Sequence, residues 1–148
     1  MTLEQIAIVQ NTFAQIRPVA EAAAGLFYTR LFTLDASLRS LFKGNMQQQG
    51  VVLMRMLALA IDSLHCPDAL LPTLQALGQR HAGYGVRAEH YETVGAALLW
   101  TLEQALAEQW TAETCAAWSA VYTLLASAMQ TAPEAELATA SPVCASAI

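Results

Sequence analysis

Three polar side chains fall on helical faces that are otherwise apolar, and chemistry would be sought there first. His81 continues the row Leu70, Leu74, Leu77, so an imidazole turns inward in line with core leucines, just before a glycine-rich corner. Gln49 shares a face with Leu53, Leu57 and Ala60, which carries a long amide into the interior, where it needs a hydrogen-bond partner. Tyr28 sits among Ala24, Leu31 and Phe32, so its ring faces inward, although a phenol can bury its ring and still reach solvent with its hydroxyl. Singly, each has an ordinary explanation as a satisfied core residue; together, an inward His, Gln and Tyr outline a site. No second His or Cys lies at metal-ligand spacing from His81, so a bare zinc or copper centre is disfavoured. One imidazole suffices when the cofactor brings the remaining donors itself, as a haem does with its porphyrin nitrogens.

The elements that must position these residues read as helices throughout. Apolar residues recur at three and four, and no strand pattern interrupts them. A first helix is expected from Leu3 to about Arg17 with Thr2 as its N-cap, and Pro18 starts or bends the next, which carries Tyr28. Asp35 caps a short turn ending near Phe42, and KGNMQQQG is a loop running into a helix that reaches about His65. His65-Cys66-Pro67-Asp68 is expected to break the chain into a connection from Pro67 to Pro72, followed by a short helix from Pro72 to His81. Gly83 and Gly85 supply positive φ at the corner, Glu89 starts a long helix to about Glu108, and a last helix begins after Thr111 and fades near Gln130. Residues 1–131 are thus expected to form one domain, and the Ala, Ser, Thr and Pro of 132–148 a disordered tail.

Composition supports one globular, all-α unit. The 148 residues are 55% apolar and 13% charged, which suits a large core and not a disordered chain. The formal charge of −5 and seven scattered basic residues argue against nucleic acid and acidic membrane surfaces as partners. The longest apolar stretch, Val51 to Ile61, contains Arg55 and is far shorter than the roughly 20 residues a membrane span needs. The start MTLEQIAIVQ does not read as a secretory signal, and Cys66, Cys115 and Cys144 form no C-x-x-C, so a cytoplasmic location with ordinary packing or surface thiols is expected. His65 and His90 are expected to be exposed, Tyr84 to cover the corner, and Trp118 and Tyr122 to serve the core.

The run LGQRHAGYGVRAEHYETVGAALL, with Arg-His-x-x-Tyr-Gly-Val and His-Tyr-x-x-Val-Gly inside it, precedes WTAETCAAWSAVY; Phe42 ends a Leu-Phe pair seven residues before Gln49. From the first helix to about Gln130 the chain resembles single-domain bacterial haemoglobins and the globin domain of flavohaemoglobins, with some likeness to neuroglobin. The resemblance implies a globin fold, a three-on-three helical sandwich around haem b. It implies His81 as the proximal iron ligand, Phe42 stacked on the haem, Tyr28 over the distal pocket, Gln49 as the distal residue and Leu53 beside the ligand. Leu77 and Val86 match the proximal wall, Val94 and Leu98 line the pocket, and Tyr91 matches a proximal tyrosine. Arg80 and Lys43 are matched to the haem propionates by analogy alone; the alternative for each is a solvated surface charge, a reading at least as good for Lys43.

What the resemblance implies for function is reversible binding of oxygen, nitric oxide and carbon monoxide at an open sixth iron position. Two distal donors, Tyr28 and Gln49, imply tight oxygen binding, each hydrogen bond being worth about 1 to 3 kcal/mol in a dry pocket. Neuroglobin-like chains close the sixth position with a distal His; Gln49 stands there in this chain, with Val52 three residues on, so five-coordinate ferrous haem is expected. Flavohaemoglobins dioxygenate nitric oxide with attached flavin and nicotinamide domains. No G-x-G-x-x-G occurs here, so that activity is expected to need a separate reductase. The family's His-Tyr-Glu linkage would place its Glu near Pro133, with Glu134 and Glu136 close by, in the expected tail. The rivals are a haem-free globin-fold sensor or interaction module, and an enzyme turning over nitric oxide, nitrite or peroxide. A monomer or weak dimer is expected.

Overall fold

The computed structural model describes residues 1–131. Among them are six long helices: α1 (Leu3–Ile16), α2 (Ala20–Leu34), α3 (Met46–Asp62), α4 (Pro67–Gly83), α5 (Ala88–Leu106) and α6 (Ala112–Gln130). No strand occurs among the described residues, and no helix there is long and apolar enough to cross a membrane. Residues 132–148, including Pro133, Glu134, Glu136 and Cys144, lie outside this description.

Helix starts follow the local chemistry. The Thr2 hydroxyl accepts from the Gln5 amide at 3.1 Å while the Gln5 side chain accepts from the Thr2 amide, a reciprocal cap that satisfies two otherwise unpaired N–H groups. Pro18 lies in a 3-10 turn (Arg17–Val19) that redirects the chain into α2. Asn45 Oδ1 accepts from the amides of Gln47 and Gln48 at 2.8 and 3.2 Å and starts α3 at Met46, so helix claims most of KGNMQQQG.

The connection expected from Pro67 to Pro72 is instead the first turns of α4. Pro67 occupies the first helical position, where its missing N–H costs nothing, and Asp68 adds an acid where the helix dipole favours one. Helix continues through Pro72 at the loss of one backbone hydrogen bond, because it buries Leu70, Leu74 and Gln75 as α4 packs on α6. Gly83 also departs from expectation: it closes α4, and of the two corner glycines only Gly85 has positive φ, at 96°. The α5 helix starts one residue early, at Ala88.

Packing pairs α2 with α5 and α3, α4 with α6, and α1 with α6. Trp118 on α6 is fully buried, and its Nε1–H donates to the Thr12 hydroxyl on α1 at 2.9 Å, which fulfils its expected core role and pairs a donor that would otherwise be stranded. These pairings leave a gap lined from α2, α3, α4, α5 and α6, and the three inward polar residues all line it.

Candidate functional site

The gap is an apolar cavity with few polar groups. Its floor is set by α4. The His81 Nδ1–H donates to the Leu77 carbonyl at 2.8 Å, which fixes the ring and leaves the Nε2 lone pair free to act as a ligand. The ring is half-buried and lines the cavity with Leu74, Leu77 and Val86. Among the described residues no group of three or more His, Cys, Asp or Glu side chains is placed to hold a metal ion.

The opposite wall comes from α2 and α3. Tyr28 is held edge-on by Phe27 at 5.0 Å and Phe42 at 5.4 Å, and lies nearly parallel to Phe32 at 6.0 Å. Burial raises its phenol pKa to about 12, an effect partly offset by hydrogen bonding with the Gln49 side chain. The hydroxyl is therefore a fixed neutral donor. Gln49 and Leu53 stand on one face of α3 and line the same cavity, with Phe42 beside them. Val52 lines it too while being half exposed, so the cavity meets the surface beside α3.

From α5 come Tyr91, Val94 and Leu98. The structure thus gathers around one cavity every site residue expected from the sequence except Arg80 and Lys43, which are exposed and outside its lining. Arg39, on the neighbouring 3-10 turn (Ala36–Leu41), donates from Nη1 to the Phe42 carbonyl at 2.8 Å.

His90 and Tyr122 line the cavity although the sequence did not point to them as site residues. His90, expected at the surface, is buried, because its Nδ1 accepts from the Arg87 amide at 2.9 Å and the ring folds under the start of α5. Its spacing to Val94 and Leu98, four and eight, was the signal available. Tyr122 combines the expected core role with a place in the lining, and its hydroxyl donates to the Tyr91 carbonyl. Burial raises its pKa, the Tyr91 phenol adding to the rise and a backbone hydrogen bond at Gly95 opposing it. His65 is exposed, as expected, and lies 3.3 Å from the Gln10 amide nitrogen. Tyr84 stands at the corner, 67% exposed, and Cys115 is a half-buried free thiol.

One lone-pair nitrogen, a phenol and an amide lining a single largely apolar cavity fit a flat metallated macrocycle that carries four nitrogens of its own. Comparison with known proteins agrees. The family model described as Globin matches residues 25–129. The chain is 36% identical over 123 residues to a flavohemoprotein of Bordetella parapertussis, covering 81% of this chain and 31% of the relative. A flavohemoprotein of Chromobacterium violaceum is 34% identical over 125 residues (80% and 30%), and one of Vibrio cholerae 28% identical over 129 (85% and 33%). The chain spans about a third of the length of these relatives. The extent of the family match, together with the all-helical architecture around this cavity, shows that the chain belongs to the globin family.

Proposed function

We propose that this globin holds haem b on His81 and reversibly binds oxygen and other diatomic gases, with tight oxygen binding through Tyr28 and Gln49. The observation that carries the reading is the fixed His81 tautomer, whose Nε2 shares one apolar cavity with the Tyr28 phenol and the Gln49 amide. Haem, when bound, supplies an iron whose sixth position takes oxygen, nitric oxide or carbon monoxide. His81 holds the group through Nε2, and the Leu77 carbonyl keeps the ring oriented. Phe42, Leu77, Val86, Val94 and Leu98 line the cavity and would keep water from a haem held there. Tyr28 donates its hydroxyl proton toward a gas that gains negative charge on binding, and Gln49 adds an amide donor. Leu53 leaves apolar room beside them. Tyr91 borders the cavity with its backbone carbonyl tied to Tyr122. A cytoplasmic monomer or weak dimer is the form in which we place this activity.

The test is the visible spectrum of protein produced with haem, in ferric, reduced and carbon monoxide forms, beside His81→Ala. The parent is expected to show the carbon monoxide spectrum of an imidazole-ligated haem, and the variant to lose or alter it. A parent without haem would overturn the reading and leave a haem-free sensor or interaction module. The similarity to flavohemoproteins favours a second activity, nitric oxide dioxygenation driven by a separate reductase. Catalytic nitric oxide consumption on adding such a reductase supports it; a single turnover per protein rules it out.

A further inference from the structure

Haem b has two propionate groups at its edge, and neither Arg80 nor Lys43 lines the cavity. We propose that His90 takes this task, donating its Nε2–H to a propionate. The inference rests on the haem reading above. His90 is 9% exposed and lines the cavity at the start of α5. Its Nδ1 accepts from the Arg87 amide at 2.9 Å, so in the neutral ring the proton sits on Nε2. That N–H makes no hydrogen bond among the described residues, and it is not among the fully buried unpartnered groups there, so it stays open to an acceptor bound in the cavity that His90 lines.

The neighbouring charges do not supply it. Asp35 is near enough to feel the imidazole, and its Oδ1 accepts from the Ser37 amide at 3.0 Å and from the Ser37 hydroxyl, but no hydrogen bond or ion pair joins it to His90. Arg87 is exposed and lies 3.7 Å from Glu89 in a loose ion pair. Elsewhere in the lining, the Tyr122 hydroxyl is committed to the Tyr91 carbonyl, and Tyr28 and Gln49 stand on the walls built by α2 and α3. His90 is left as an inward N–H donor whose other nitrogen is already engaged, suited to a carboxylate acceptor.

Two substitutions separate binding from capping. Both His90→Gln and His90→Glu can accept from the Arg87 amide, as a Gln or Glu at this helical position does in a capping box. Gln retains a donor; Glu has none and repels a carboxylate. The measurement is the rate at which each protein loses haem, or haem dimethyl ester with both propionates masked, to an excess of haem-free acceptor globin. In the parent, esterification is expected to speed loss roughly tenfold, as for removal of a charge-assisted hydrogen bond. His90→Gln should keep most of that penalty, whereas His90→Glu should abolish or reverse it. An equal ester penalty in the parent and His90→Glu would overturn the proposal, as would no penalty in the parent, which would give the Nε2–H to water. Unfolding of the haem-free variants checks that the cap survives. Failure of the parent to bind either haem would instead overturn the haem reading.

Discussion

Tyr28 is where the site's chemistry is most exposed to test, because its environment fixes both its orientation and its protonation. Three aromatic rings hold the phenol, and burial keeps it neutral to about pH 12. If it donates to bound oxygen, Tyr28→Phe should speed oxygen dissociation tenfold or more in stopped-flow measurements, equivalent to about 1.4 kcal/mol. An unchanged rate would remove Tyr28 from the ligand contacts. The raised pKa has its own consequence. The folded state keeps this proton while an unfolded chain releases it near pH 10, so its stabilising effect is complete below pH 10 and is lost as pH rises toward 12. Phenolate absorbance should show Tyr28, identified by subtracting the Tyr28→Phe titration, still un-ionised just above pH 10. In the proposed reading Gln49 takes the place of a distal His that could close the iron, and among the described residues α2 and α3 put no His into the cavity lining. Reduced, gas-free protein is therefore expected to show the broad bands of five-coordinate haem; sharp low-spin bands would contradict this.

At the scale of elements, two close helix approaches hold the opposite walls of the cavity. A Cβ on Gly78 of α4 would sit 1.7 Å from the Met129 backbone oxygen of α6, and backbone cannot step aside as a flexible side chain can. Gly78 lies one turn before His81, so the contact that seats α4 on α6 also sets where the imidazole stands. Gly50 of α3, next to Gln49, would bring its Cβ to 3.0 Å from the Ala24 Cβ of α2, a tight contact that a small helix shift relieves. Gly78→Ala is accordingly expected to destabilise the fold by about 3 kcal/mol or more in urea unfolding and to speed haem loss. Gly50→Ala should cost about 1 kcal/mol or less, leave haem retention near the parent value, and change oxygen dissociation through Gln49. Equal effects of the two substitutions would show that these crossings do not position the walls separately.

For the whole molecule, the cavity reaches five of the six helices, so filling it links their packing. Haem bound a thousandfold above its dissociation constant would stabilise the fold by about 4 kcal/mol. Removing it should lower the melting temperature by roughly 10 °C or more, on the usual scaling for a chain of this size. Calorimetry of haem-free and reconstituted protein measures this directly, and coincident melting curves would show that the cavity does not depend on haem for its packing.

Much of this molecule could be read from one dimension. Helical periodicity identified the all-α class, and the rows Leu70-Leu74-Leu77-His81 and Gln49-Leu53-Leu57 turned the right polar side chains inward, because residues three and four apart share a face wherever the helix packs. Residue chemistry also identified Thr2 and Asp35 as caps. Tertiary packing decided the rest. It carried α4 back through Pro72 to Pro67, since burial of Leu70 and Leu74 against α6 outweighs one lost backbone bond. It buried His90, whose cap with Arg87 is local but whose covering comes from elements distant in sequence. It also left Arg80 and Lys43 in solvent, because nearness to His81 or Phe42 along the chain says nothing about where a long charged side chain finds room. Periodicity reports which way a helix faces; only packing fixes what it faces and how closely.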